Sequence, residues 1–223
     1  MKRTLFALSL ALSTALAAAA PLTFSSATYS TGALAVAGAA LDSNSDASPS
    51  SPLPLLTSAT ATSGADSASS AGAADTGFLG ASAEANSDLD NASSLASAEF
   101  LGLFKGTGAP IGLKLSYDAA TTGSGTAESR LLVTFNALNL FNDAISGPGF
   151  FETMLDLAAG IDGVLDILLT SSADATSANA FNVASVAFAA SVPEPSTLVL
   201  LLAGAAILGA ARRWSWRKAA LAD

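Results

Sequence analysis

The 223-residue sequence contains no cysteine and no histidine. Without cysteine the chain has no disulfide, no thiolate nucleophile and no iron–sulfur ligand. Without histidine it lacks the Ser-His-Asp and Cys-His arrangements, the usual zinc ligands and the commonest general base. Phosphate-loop, dinucleotide and nucleophile-elbow motifs are absent as well. We therefore expect a protein that is not an enzyme and that needs no cofactor.

Basic residues are also scarce. The chain has 9 Lys and Arg against 18 Asp and Glu, a formal net charge of −9. Residues 22–192 hold 16 acidic residues against three basic ones (Lys105, Lys114 and Arg130), a net charge of −13. Such a surface repels nucleic acid and favours solubility. DNA and RNA are therefore not expected as partners.

Residues 1–20 have the order of a secretory signal peptide. Lys2 and Arg3 precede an apolar run from Leu5 to Leu16, and small residues follow up to residue 20. The run is too short and wrongly flanked for a membrane span, although an uncleaved anchor is the alternative. We expect a signal helix that is cleaved after Ala17, Ala18 or Ala19.

Residues 192–218 combine three elements in a fixed order. A proline-stiffened peptide at 192–197 comes first, then a charge-free apolar segment at 197–211, then a basic cluster at 212–218. A stiff, exposed peptide suits capture in an enzyme groove, because little conformational entropy remains to be lost on binding. The peptide is Val192, Pro193, Glu194, Pro195, Ser196 and Thr197, and the basic residues are Arg212, Arg213, Arg217 and Lys218.

The apolar segment predicts a short transmembrane helix. Fifteen helical residues span only about 22 Å, against a hydrocarbon core of about 30 Å, which suits a temporary hold better than a lasting one. The basic cluster should stay in the cytoplasm, which places the proline-rich peptide on the outer face. The alternatives are a buried apolar helix and an unprocessed single-span membrane protein.

In this combination, residues 192–218 resemble the PEP-CTERM sorting signal of Gram-negative bacteria. Trp214 and Trp216 depart from the plainer arginine-rich tails of that family. The resemblance implies that the chain is delivered by the secretion machinery to the inner membrane as a precursor and is then processed by an exosortase. It further implies release to the cell surface or the extracellular matrix, in an exopolysaccharide or biofilm context.

Between the two ends, the sequence predicts β-structure with one long interruption. Residues 21–40 contain enough β-formers for a first strand. Residues 41–75 are almost entirely Ser, Ala, Thr, Asp, Pro and Gly, which predicts a flexible loop or linker. In residues 76–191, apolar and polar residues alternate in short runs separated by glycine-rich turns, as at Ile111, Leu113, Leu115 and Tyr117. The expected fold is an all-β, antiparallel, jelly-roll-like β-sandwich with a long low-complexity loop.

Residues 150–171 fit two structures. Their apolar residues recur at helical spacing, but Ala159 to Gly163 favours a turn between two short strands. Two glycines inside a helix would each cost about 1 kcal/mol. A hairpin is therefore favoured, and a helix is the alternative.

Two acidic segments are weak calcium candidates, and solvated loops are the expected state of both. The first has the alternating ligands that open a calcium loop, but the required glycine and the closing glutamate are missing. The second has a closing acid but lacks the glycine and the middle ligand. No metal is therefore assigned. The candidates are Asp42, Asn44 and Asp46 in the first segment and Asp88, Asp90 and Glu99 in the second.

The leading hypothesis is an exported, non-enzymatic surface or matrix protein with a structural or adhesive role. Asp156, Asp162 and Asp166 are the candidates for the carboxylate pair of a glycoside hydrolase. No aromatic platform for sugar accompanies them in the sequence, so hydrolase activity is not expected. The alternative hypothesis is a carbohydrate- or calcium-binding module of the extracellular matrix.

Overall fold

The computed structural model describes residues 20–48 and 53–192. The predicted signal helix, its cleavage region at residues 17–19 and the predicted transmembrane helix lie outside the described residues. Pro21–Ser191 forms one compact unit. The described part of the chain contains no helix, and so none that is long and apolar enough to cross a membrane.

The described residues form β-strands whose pairings, from the second strand onward, are all antiparallel. The predicted all-β antiparallel class is therefore confirmed. The strands are β1 (Ala20–Pro21), β2 (Ser26–Ala37), β3 (Ala40–Ala47), β4 (Leu55–Ser63), β5 (Asp66–Asp75), β6 (Phe78–Lys105), β7 (Ile111–Gly123), β8 (Thr126–Phe135), β9 (Leu138–Ile145), β10 (Gly149–Leu155) and β11 (Asp162–Val192).

Two long strands, β6 with 28 residues and β11 with 31, pair with each other along most of their length. Their register shifts once, between Thr176 and Ala178, where Ser177 has a φ of 49°. Each strand also changes its second partner along its length. The first part of β6 pairs with β5 and the later part with β2. The first part of β11 pairs with β8 and the later part with β7.

The sheet therefore has two arms that share β6 and β11. We call β3-β2-β6-β11-β8-β9 the first arm and β4-β5-β6-β11-β7-β10 the second arm. Strands β2 and β3 of the first arm pack against β4 and β5 of the second. The sheet thus folds back on itself and encloses a core.

The large core side chains follow the predicted alternation, because successive residues of a strand point to opposite faces. Ile111, Leu113 and Leu115 of β7 are almost completely buried, as are Leu131 and Val133 of β8. An aromatic group lies among them. The ring of Phe100 packs against those of Phe24, Tyr29 and Phe188, with centroids 4.7–5.2 Å apart.

A second part of the core is built from alanine, which allows the two arms to approach closely. A Cβ atom placed on Gly72 of β5 would lie only 2.6 Å from the carbonyl oxygen of Ser97 on β6. The Ser70 hydroxyl of β5 donates to the carbonyl oxygen of Leu34 on β2, 3.0 Å away. The buried alanines are Ala33, Ala35, Ala37, Ala59, Ala61, Ala68, Ala83, Ala85, Ala92, Ala173, Ala175 and Ala180.

The prediction of a flexible loop at residues 41–75 is wrong. Strands β3, β4 and β5 lie within or overlap this range, and residues 21–75 belong to the same compact unit as residues 76–191. In β5 the inward positions are occupied by Ala68, Ser70, Gly72 and Ala74. Such side chains bury little apolar area each, but the narrow space between the arms accommodates only small ones. Strands β3, β4 and β5 are therefore ordered because backbones of the two arms pack closely together, and not because large side chains are buried.

Residues 150–171 are two strands and not a helix. Strand β10 ends at Leu155 and β11 begins at Asp162, with Gly160 at a φ of 79° in the turn between them. The predicted hairpin is nevertheless wrong, because β10 pairs with β7, whereas the first part of β11 pairs with β6 and β8. The second predicted strand is also not short, since it continues to Val192.

Candidate functional site

Strand β11 extends to the first residue of the predicted processing peptide. It ends at Val192, and Ser191 is still paired with Gly112 of β7. The backbone of Ala190 is held from the other end of the compact unit, because Leu22 N–H donates to its carbonyl oxygen at 2.9 Å. The sheet therefore leaves no linker before the peptide. The remaining predicted sorting residues, 193–197, 212–213 and 217–218, lie outside the described residues.

The first calcium candidate lies along β3, an edge strand. The carboxylate of Asp42 accepts a hydrogen bond from the backbone N–H of Thr60 on β4, at 2.8 Å. The carboxylate of Asp46 accepts one from the N–H of Ala47, also at 2.8 Å. Asn44 lies between them on the same side of β3 and is exposed. Asp42 thus satisfies a backbone donor of the neighbouring arm.

The second calcium candidate is not brought together. Asp88 and Asp90 donate their backbone N–H groups to the carboxylate of Asp66, at 2.7 and 3.2 Å. Glu99 lies nine residues farther along β6, about 30 Å away at the rise of an extended strand, and accepts a hydrogen bond from the Ser30 hydroxyl at 2.9 Å. Across residues 20–48 and 53–192, no group of three or more acidic side chains is placed to hold a metal ion.

Asp66 is a buried residue that the sequence interpretation missed. Only 3% of its surface is exposed, and its carboxylate fixes the backbone of the β6 segment around Asp88 and Asp90. An aspartate shortly after the Gly64 turn is too common a pattern to reveal this role. The residue is therefore assigned a structural function.

Two of the three aspartates considered for hydrolysis, Asp162 and Asp166, lie too far apart for a catalytic pair. Asp162 forms an exposed ion pair with Lys105 at 2.9 Å, and Asp156 is exposed between β10 and β11. Asp166 lies four residues after Asp162 along one extended strand, about 13 Å away, whereas paired glycosidase carboxyls lie about 5–9.5 Å apart. The geometry gives no support to glycoside hydrolysis by these residues.

Asp166 is nevertheless an unusual carboxyl group. Burial, followed by the negative charge of nearby Glu99, raises the pKa of Asp166 above its ordinary value. Its Oδ1 atom is buried without a hydrogen-bond partner. The directly paired residues on the two neighbouring strands, Leu101 and Thr134, bring no positive charge. The arrangement disfavours ionisation of the Asp166 carboxyl group.

The outer face of the second arm carries a shallow groove that crosses the strands. Its floor is a row of directly paired residues with small side chains, Ser185 of β11, Gly80 of β6 and Ala73 of β5. The row ends at Asp118 of β7 and at Leu56 of β4. Five neighbouring strands span about 19 Å at their usual spacing of about 4.8 Å. We call this row and its walls the groove.

The groove consists of two adjoining depressions of about 410 and 210 Å³, which share Val183, Ala184 and Ser185. Phe78 and Val183 form its walls, with 40% and 39% of their surfaces exposed. The ring of Phe78 lies over Gly80, since a Cβ atom at Gly80 would be 3.3 Å from the ring carbon Cε1. The sequence interpretation missed the groove, because it depends on the register of five strands.

Comparison with known proteins gives a family-model match and likenesses to solved structures. No curated protein matches the chain. Among solved structures, the chain is similar to TmCBM61 in complex with β-1,4-galactotriose, at 9% identity over 54% of this chain and 86% of that chain, with a TM-score of 0.23. It is also similar to a structure of the Gx strain of infectious bursal disease virus, at 9% identity over 80% and 84%, with a TM-score of 0.20. At such TM-scores neither likeness carries an argument about fold or ligand.

The informative match is to the family model of the PEP-CTERM protein-sorting motif, over residues 191–218. These residues include the proline-rich peptide, the apolar segment and the basic cluster, in the order that the sequence resemblance requires. The match confirms that resemblance. It implies recognition by an exosortase and display as a secreted, processed cell-surface protein. The chain therefore carries a PEP-CTERM protein-sorting motif at residues 191–218.

Proposed function

We propose that the chain is a non-enzymatic protein of the cell surface or extracellular matrix with a structural or adhesive role. The observation that carries the proposal is the sorting motif at residues 191–218. In this account the precursor is held in the inner membrane by the apolar segment at 197–211. An exosortase then cuts near residues 192–195 and releases the folded unit.

In the same proposal, the folded unit is a jelly-roll-like β-sandwich whose two layers are the two arms. The packing of β2 and β3 against β4 and β5 supports this arrangement. The hydrogen bonds from Ser70 to Leu34 and from Thr60 to Asp42 also join the arms. A rigid sheet with two outer faces and a strongly acidic surface suits a structural component that works outside the cell.

Sorting is tested by replacing Pro193, Glu194 and Pro195 together with alanine in the full chain. We expect the variant precursor to accumulate in the membrane, because the stiff peptide that an exosortase would capture is lost. The matched control replaces Pro110, an exposed proline in the turn before β7, with alanine. The control should be released as the natural chain is. Release of the triple variant at the natural rate, with the natural mass, contradicts the proposal.

A further inference from the structure

We propose that the groove on the outer face of the second arm binds a neutral polysaccharide chain. The inference rests on one part of the proposed function, namely that the protein is exported to a place where such polymers occur. The binding face itself is formed by side chains of β4, β5, β6, β11 and β7. None of the residues that form the groove was selected as a candidate site by the sequence interpretation.

The shape of the groove suits a linear polymer. Its floor of Ser185, Gly80 and Ala73 is low because none of these side chains extends beyond a hydroxymethyl group. Val183 rises on one side of it, and on the other side the ring of Phe78 leans over Gly80. A trough about 19 Å long that is open to solvent contacts several consecutive units of a chain. A single small molecule would instead require an enclosed pocket that buries most of its surface.

The chemistry of the groove suits sugar rings, which have apolar C–H faces and hydroxyl edges. The ring of Phe78, supported from below by Gly80, offers an exposed aromatic surface to a C–H face. Asp118 and Ser185 place a carboxylate and a hydroxyl in the same row, and Ser82 adds a second hydroxyl beside it. Carboxylates accept and hydroxyls both donate and accept hydrogen bonds, as the hydroxyl edges require.

The charges near the groove favour a neutral polymer over an anionic one. Each basic side chain within the described residues forms an ion pair: Lys105 with Asp162, Lys114 with Glu152 and Arg130 with Glu128, at 2.9–3.2 Å. No basic residue lines the groove itself, so no cation there attracts an acidic sugar. The carboxylate of Asp118 at the end of the groove repels one.

An extended peptide fits the groove less well than a sugar chain. Peptides usually bind to sheets by adding a strand at an unpaired edge, where backbone hydrogen bonds supply the affinity. The groove lies on the face of the sheet, and the strands beneath it are already paired with one another from β4 across to β7. A peptide lying there would gain no backbone hydrogen bonds from the sheet.

The test is affinity electrophoresis of the protein released from cells, in native gels that contain hydroxyethylcellulose, galactomannan, dextran or alginate. We expect at least one neutral polymer to retard the protein and alginate not to. Phe78→Ala should weaken retardation about tenfold or more, because it removes the main apolar surface. Ser185→Phe should weaken it similarly by filling the floor. The control Leu138→Ala removes a large apolar side chain that is 65% exposed on β9 of the first arm, away from the groove, and it should change nothing.

The proposal is overturned by no retardation by any neutral polymer, by retardation by alginate alone, or by equal effects of Phe78→Ala and Leu138→Ala. The proposal is also overturned if sedimentation shows a dimer that Phe78→Ala abolishes, and the protein binds no polymer. The groove would then be a contact between two copies of the chain. Thermal midpoints verify that each variant is folded. Failure of sorting and failure of polymer binding can be told apart. The triple variant at Pro193, Glu194 and Pro195, extracted in detergent, should still bind polymer. The groove variants should be processed normally.

Discussion

The backbone N–H of Leu22 donates a hydrogen bond to the carbonyl oxygen of Ala190, with the two atoms 2.9 Å apart. The two ends of the compact unit, which runs from Pro21 to Ser191, are therefore held side by side. The predicted signal cleavage after residues 17–19 would leave only a few residues before Leu22, and the proposed cut near residues 192–195 would leave only a few after Ala190. The two predicted cleavages thus trim the chain close to one point of the sheet.

This bond is tested by comparing Leu22→Pro with Leu22→Ala in the released protein. Both variants lose the buried leucine side chain, but only proline removes the N–H donor. We expect Leu22→Pro to be less stable than Leu22→Ala by about 0.5–1.5 kcal/mol, the usual net value of a hydrogen bond. Denaturant unfolding gives the free energies. Equal stabilities would show that the closure between the two ends contributes nothing.

The close approach of the arms is tested at Gly72. Because an added Cβ atom would meet the Ser97 carbonyl oxygen at 2.6 Å, Gly72→Ala must push the arms apart. We expect a loss of about 1–3 kcal/mol, as in overpacked cores. The matched control is Gly112→Ala, another strand glycine, where the nearest atom would be 3.7 Å away. The control should be neutral or slightly stabilising, and equal losses in the two variants would contradict the packing described for β5.

The unusual carboxyl of Asp166 predicts a pH dependence of stability. Because its pKa is raised in the folded protein, the folded state holds its proton more tightly than the unfolded state does. The free energy of unfolding therefore falls as pH rises from the ordinary aspartate pKa through the raised one. Asp166→Asn should unfold at a higher temperature than the natural protein near neutral pH, and the difference should shrink in acid.

Thermal melts across that pH range measure the effect. Asp174→Asn is the control, since Asp174 lies on the same strand and is exposed. A variant at residue 166 that gains no stability at neutral pH, or gains it equally in acid, would contradict the assignment of an unpaired, partly buried carboxyl.

The sequence predicted the parts of the fold where side chains differ strongly in polarity. Ile111, Leu113 and Leu115 alternate with polar residues, and this contrast alone identifies a strand with one buried face. In β5 both faces carry small residues, mostly Ser and Ala, so no contrast in polarity separates the buried face from the opposite one. Its burial follows from the partner arm, which is far away in sequence, so a local pattern could not reveal it.

The sorting motif could be predicted because it is a linear signal. The signal consists of the order of the proline-rich peptide, the apolar segment and the basic cluster along the chain. That order does not depend on the folded unit. The groove is the opposite case. Ser185, Gly80 and Ala73 come from three strands and become neighbours only through their register. No spacing along the chain indicates that juxtaposition.

The intact mass of the protein recovered outside the cell tests the central claim most directly, because it reports both ends at once. We predict a species that begins between residues 18 and 20, ends between residues 192 and 195, and is therefore clearly lighter than the 21.9 kDa precursor. Recovery of the 21.9 kDa chain, or of a shorter one that still contains Arg212, Arg213 and Lys218, would contradict the account.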